Sequence, residues 1–331
     1  MSATNTLLKV EGTAWAVSHE VEKTIQDKTS SEDIIKSLGL DYTVSAHNVK
    51  TDIEEPVPGY YGMYRDDTNN FLGIVKSNNL VITQNVDTFK SIEPLLEDNT
   101  LNPVVADTYN GGCQTFGCFE VNDSFDILGD DFKHYFIVVN DHLKPDGNLT
   151  VINTPVRIAC MNAMSAALSR SILKFKIPAY ISAETSIDIS NMMMDAYNRA
   201  VNKMKNAAEN MSKIKITQAG IEKLMDELFP YIKETEAETT NHDRANHAIA
   251  IQRESFLTCL NADKIPNYKN TMYGVFNALT DYSQHMHRNA DKAFDLGYRM
   301  TLLPGMNPEA TTEALKVTKF LNNMKEFAEA A

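Results

Sequence analysis

TPVRIACMNAMSAAL, Thr154 to Leu168, is the stretch whose reading decides the fold. Ahead of it, Leu149, Val151 and Ile152 form a β-prone run after the turn Pro145-Asp146-Gly147-Asn148. Thr154 suits a helix N-cap, and Pro155 suits the first helical position, where a missing N–H costs nothing. From Val156 to Phe175 there is no Gly or Pro, and apolar and small residues run almost all the way round a helical wheel. The pattern predicts a strand that turns directly into a long buried helix. Arg157 then falls in the first helical turn, where a cation opposes the helix dipole by a few tenths to about 1 kcal/mol. An anion should answer it. A carboxylate of the same chain is the plainer reading; a phosphate bound at the helix N-terminus is the sharper one.

Upstream of this stretch the chain reads as strands. Tyr60 to Tyr64, Phe71 to Val75, Leu80 to Ile82, Cys113 to Val121 and Phe132 to Val138 are β-prone runs separated by turns such as Asp66-Asp67-Thr68-Asn69-Asn70. One helix interrupts them, capped by Asn85 and running from Val86 to Leu96. A short helix ending at Gly39 and a strand suggested by Tyr42, Val44 and Val49 precede them. Downstream, helical spacing recurs from Ile187 to Met211, Gln218 to Leu228 behind Thr217, Thr240 to Leu260, Thr271 to His287, Arg288 to Arg299 and beyond Pro308. The expected fold is α+β. Residues 1–56 form a mixed extension, 57–155 a β-rich part (an antiparallel sheet with one inserted helix), and 156–331 a helical part packed on the sheet as one continuous domain.

Composition sets bounds on function. Hydrophobic residues make up 43% and charged residues 23%, as in ordinary globular proteins. No run of about 18 apolar residues exists to span a membrane. MSATNTLLKVEG lacks the basic-then-apolar order of a secretory leader. A cytoplasmic protein is expected (in the host cytoplasm if phage-encoded), with its four cysteines reduced. Cys113 and Cys118 have no nearby His or second Cys pair, so they read as small apolar strand residues rather than zinc ligands.

The net charge of −13 is unevenly spread. Residues 1–155 carry 10 basic against 24 acidic side chains, residues 156–215 carry 9 against 4, and residues 216–331 carry 12 against 16. The only basic region therefore begins at the opening stretch. Arg170 and Lys174 are one helical turn apart, with Lys176 beyond; Arg199 and Lys203 repeat the spacing, and Lys205, Lys213 and Lys215 follow. If two long helices pack together, these residues line one groove of the kind that holds phosphate backbones. Stacking aromatics for single-stranded nucleic acid are available in Tyr60, Tyr61, Tyr64, Phe116 and Tyr180, although strand aromatics more often pack a sheet face.

No catalytic constellation is specific. Gly111-Gly112 is not followed by the Gly-Lys-Ser/Thr of a phosphate loop, and GxGxxG, GxSxG and HExxH are absent. Neither His242 with His247 nor His285 with His287 has the i, i+4 spacing that puts two imidazoles on one helix face. No metal or cofactor is expected from these patterns.

Several segments together carry a resemblance. They are Arg65, Asp67 and Thr68; Gln84 and Asn85; Thr154, Pro155, Arg157, Cys160 and Asn162; and Thr271, Gly274, Asn277, Ala278, Thr280 and Tyr282. In this set the chain, from about residue 57 to 325, resembles the phage and plasmid-like proteins grouped as domain of unknown function 932. The resemblance implies a mobile-element origin, where genes of this size serve replication, recombination or evasion of host defence.

Three functions follow as expectations. The first is a non-enzymatic phage protein of DNA metabolism that binds or anneals single-stranded DNA as a homo-oligomer, with Arg157, Asn162, Arg170, Lys174, Lys176, Arg199 and Lys203 on its binding surface. The second is a structural or host-interaction protein without nucleic-acid affinity. The third is an enzyme or binder acting on a small phosphorylated ligand, with Arg157 as the clamp.

Overall fold

The computed structural model describes residues 8–9, 16–17, 30–157, 162–163, 172–176, 181–232, 239–262, 268–282, 316, 319–320 and 322–328. Two-residue strands β1 (Leu8–Lys9) and β2 (Ala16–Val17) pair with each other. Helix α1 (Ser31–Ser37) leads into a three-stranded antiparallel sheet, β3 (Val44–Lys50), β4 (Pro56–Arg65) and β5 (Asn70–Lys76). Two short helices follow, α2 (Asn85–Lys90) and α3 (Glu93–Glu97). The larger antiparallel sheet comprises β6 (Leu101–Tyr109), β7 (Gln114–Ile127), β8 (Asp130–Asp141), β9 (Asn148–Arg157), β10 (Asn162–Ala163) and β11 (Ile172–Lys176). Its order is β10-β9-β8-β7-β6, with β11 also paired to β9. The helical part is α4 (Ala183–Lys213), α5 (Gln218–Leu228), α6 (Thr239–Ala262) and α7 (Met272–Asp281). The α+β architecture therefore stands, with antiparallel sheets first and helices after.

The opening stretch does not behave as its local chemistry predicts. Thr154, Pro155, Val156 and Arg157 are the last residues of β9, in register with Tyr135, His134, Lys133 and Phe132 of β8. Residues 172–176 are a strand, not the end of a helix. Sheet pairing supplies the hydrogen bonds that a helix would have supplied, and tertiary context overrides the cap-like Thr-Pro. Pro155 lies opposite His134 of β8, and on its other side it falls between the β11 pairing, which ends at Ile152, and the β10 pairing, which begins at Val156. The β-rich part thus runs past residue 155 to Lys176. The expected helix from Arg288 to Arg299 lies outside the described residues.

The sheet is a meander whose turns contain residues at positive φ. Leu128 and Gly129 (φ 56° and 88°) form the two-residue connection between β7 and β8. Along β8 the residues Phe132, Phe136 and Val138 face the main core, which α4 covers with Ile189, Met193, Tyr197, Val201, Met204, Ala208 and Met211. Those positions recur every three or four residues, so one face of a 31-residue helix is buried and the other is open. Thr217 caps α5 by accepting from Gly220 N at 3.1 Å. Gly220 itself has no room for a side chain, since a Cβ would stand 2.2 Å from Phe327 O in the C-terminal helical segment.

Candidate functional site

The smaller sheet meets the larger one through a polar junction. Tyr42, two residues ahead of β3, donates its hydroxyl to Gly112 O at 2.9 Å and lies 2.7 Å from Thr115 Oγ1. Arg65, the last residue of β4, stacks its guanidinium over the Tyr42 ring at 3.9 Å. It also forks onto Asp67, with Nε to Oδ1 at 2.6 Å and Nη2 to Oδ2 at 2.8 Å. That hydrogen bond holds the Asp67 carboxyl below its usual range and raises the Arg65 guanidinium. Gly112 (φ 105°) passes close beneath, where a Cβ would meet Arg65 Cδ and the Tyr42 hydroxyl at 3.2 Å each.

Asn85 stands at the centre of the junction, wholly buried. Its Nδ2 donates to Leu40 O at 2.9 Å, and its Oδ1 accepts from Asn140 Nδ2 at 2.9 Å and from His142 Nε2 at 3.1 Å. Because Oδ1 can only accept, this network assigns the His142 proton to Nε2 and leaves Nδ1 with its lone pair. Burial pushes the His142 pKa down to about 4, so the ring is neutral at pH 7. Nδ1 is buried without a hydrogen bond among the described residues. Asn85 does not serve as the N-cap that its sequence position suggests. Gln84 occupies that position, and its amide instead clamps β3 by donating to Val44 O and accepting from Val44 N, both at 3.0 Å.

A second group of motif residues lies at the start of α7. Thr271 caps the helix, accepting from Gly274 N at 3.2 Å and donating to Tyr268 O at 2.7 Å. One turn on, Asn277 is 2% exposed and neither of its amide atoms makes a hydrogen bond among the described residues. Helix α7 packs beside β10, which holds Asn162, and against α4.

A third polar cluster interrupts the core itself. His134 of β8 is wholly buried, and its ring lies edge-on to Tyr197 of α4 with centroids 4.7 Å apart. Burial pushes its pKa down to about 3; the adjacent Asn153 amide pulls the other way without closing a hydrogen bond.

The expected anion-binding residues separate into two groups. Arg157 and Asn162 are brought together as register partners on β9 and β10. Lys174 and Lys176 lie on β11, opposite Thr150 and Asn148. Arg170 falls outside the described residues. Since Arg157 ends a strand, the argument that a helix dipole makes it seek an anion no longer applies. The groove between two long helices also loses its basis, because 172–176 is a strand and α4 is the one long helix of the pair. On α4, Arg199 and Lys203 are exposed and one turn apart, with Lys213 on the same side of the helix. Among the described residues none of Arg199, Lys203, Lys205, Lys213 and Lys215 is in an ion pair. Elsewhere cations do find partners: Lys133 with Glu120, Arg253 with Asp226 and Lys319 with Glu227.

Sequence reasoning took Tyr42 only as a strand residue, although the strand starts at Val44, and passed over His134, Asn140, His142 and Asn153. A signal was there for β8, whose inward positions read Phe132, His134, Phe136, Val138, Asn140: two polar residues set into an otherwise apolar face.

An α+β chain with a buried amide–imidazole junction and an unpaired basic helix face is thus defined. The chain matches the family described as a domain of unknown function (DUF932) over residues 72–315, and it belongs to that family. Gln84, Asn85, Arg157, Asn162, Thr271 and Asn277 lie inside the matched range, while Arg65 and Asp67 stand just ahead of it. No curated protein and no solved structure matches the chain. Among the described residues no helix is long and apolar enough to cross a membrane.

Proposed function

We propose that the protein is a non-enzymatic binder of single-stranded nucleic acid, in keeping with the mobile-element character that its family resemblance implies. The observation that supports this reading is the row of exposed cations on α4. Arg199, Lys203 and Lys213 make no ion pair among the described residues, although Asp195 and Glu209 stand one helical turn before Arg199 and Lys213. From Arg199 to Lys213 the row is about 21 Å long at 1.5 Å per residue. Asn202, Asn206 and Asn210 lie along it as neutral donors. A strand's phosphates meet such a surface without any reading of sequence. One row offers few phosphate contacts, so annealing two strands requires at least two copies of the chain, and the active form is a homo-oligomer.

The test is fluorescence anisotropy with a labelled single-stranded oligonucleotide over a salt series. Affinity should rise as salt falls, and Arg199→Glu with Lys203→Glu should weaken it and flatten the logarithmic salt slope by about 0.7 per lost contact. Absence of binding at low salt, with a host protein co-purifying instead, would replace this reading with that of an interaction protein.

A further inference from the structure

The small sheet β3-β4-β5 packs one face and leaves the other open. Val44, Met63 and Val75 form its inner side with Tyr42. The register places Ser45 and His47 of β3, Tyr60, Gly62 and Tyr64 of β4, and Phe71, Ile74 and Lys76 of β5 on the outer side. An outer face of this kind should be polar, since burial of only one side normally produces alternation. Here Phe71 is 55% and Ile74 59% exposed. A register shift between Met63 and Tyr64 sets Phe71 directly across from Tyr64. The Tyr64 ring then lies between His47, at 5.3 Å and nearly perpendicular, and Phe71, at 5.4 Å and tilted 56°. Gly62 occupies the middle of this face; a Cβ there would press on the Tyr64 ring at 3.0 Å and approach Phe71 at 3.5 Å. No side chain rises from that position to cover the rings.

The charges on this face separate it from its surroundings. Residues 1–155 carry 24 acidic against 10 basic side chains, yet the residues named on the outer face include no carboxylate. Its titratable groups are His47, the tyrosines and Lys76, whose ammonium stands 5.5 Å from the Tyr60 ring centre. Asp66 stands at the end of the face, with its two oxygens accepting from the Thr43 and Ser45 hydroxyls at 2.6 and 2.5 Å. An exposed Phe71 ring beside a half-buried Tyr64 ring on an antiparallel sheet, no blocking side chain between them and a cation at the rim are what unstacked bases and their backbone require.

We propose that the outer face of β3-β4-β5 is a base-stacking platform, on which Tyr64 and Phe71 hold the bases of a single strand and Lys76 meets its phosphates. This deepens the proposed nucleic-acid reading and rests on it: α4 supplies charge, and this sheet supplies stacking.

The experiment compares the full-length protein with Phe71→Ala and Phe71→Trp, each checked for an unchanged melting temperature. Each is titrated with a single-stranded oligonucleotide and with an abasic strand of equal length and charge. Phe71→Ala should weaken oligonucleotide binding roughly 5- to 150-fold, the loss of about one stacked base, with no change in salt slope. Phe71→Trp should retain the affinity. The abasic strand should bind wild type weakly and not discriminate between the variants. If wild type binds but neither Phe71→Ala nor removal of the bases matters, the platform is refuted while the α4 reading stands. If wild type binds nothing, both fall. If Phe71→Ala leaves affinity unchanged and converts a dimer to a monomer by light scattering, the face joins copies of the chain and the platform is overturned.

Discussion

His142 donates through Nε2 to Asn85 Oδ1 at 3.1 Å, which ties the end of β8 to the first residue of α2 across 57 positions of sequence. Both residues are buried, and Asn140 donates to the same oxygen. One asparagine thereby satisfies two strand-end donors and one loop carbonyl.

Replacing Asn85 with leucine should be among the most costly changes in the chain. It strands the Leu40 carbonyl and the His142 N–H in an apolar setting, and each orphaned group costs about 1–3 kcal/mol. A loss of about 2–4 kcal/mol in urea unfolding is expected, with an unchanged slope. A loss under about 0.5 kcal/mol would mean that the network does not hold α2 in place.

Stability should fall with acid below neutrality. His134 and His142 are neutral in the folded protein, with pKa values of about 3 and about 4, against 6.5 when exposed. The unfolded chain therefore takes up protons between pH 6.5 and about 3–4 that the folded chain refuses. Their contribution is fully present above pH 6.5 and is lost as pH falls through that window. His134 alone accounts for at most about 5 kcal/mol of this. Urea midpoints at pH 7.5, 6.0 and 5.0 should decline in that order, and His134→Phe should flatten the decline.

Gly274→Ala should destabilise, although alanine is the better helix former by about 1 kcal/mol. The added Cβ would stand 2.6 Å from Tyr268 O, a backbone atom that Thr271 Oγ1 holds at 2.7 Å. Packing should reverse the propensity, with a net loss of about 1–3 kcal/mol by thermal or urea melting.

Arg65→Lys keeps the charge but removes both the fork onto Asp67 and the flat stack on Tyr42. A loss of about 1–2 kcal/mol is expected. Asp67→Asn should cost less, because Asp67 is solvent-facing. Equal losses would indicate that the ion pair, not the stack, carries the effect.

How much of this was legible depended on how local the determinant was. Thr217 could be read as a cap because its hydrogen-bond partner lies three residues away; Thr271, read as the first residue of its helix, proves to be a cap of the same local kind. The burial pattern of α4 was equally local, written every three or four residues. Thr154-Pro155 misled because its local chemistry is a good helix start, while the partners that decide its state, His134 and Tyr135, lie about twenty residues earlier. Asn85 looked like a cap for the same reason: its true partners, Asn140 and His142, are more than fifty positions away. The cations of α4 were visible as a composition bias, but that they make no ion pair among the described residues could only be seen in three dimensions.

Ser186 of α4 donates to Lys90 O at 2.9 Å across 96 residues, at the junction between α2 and α3. A ribosome adding about 5–20 residues per second needs roughly 5–20 seconds to supply those residues. The β6–β9 meander, made of neighbouring strands, can close during that interval. Its core face then waits for α4 to emerge. During synthesis the sheet is a nascent surface with Phe132, Phe136 and Val138 not yet covered by α4, and this is a period in which a chaperone has an apolar face to protect.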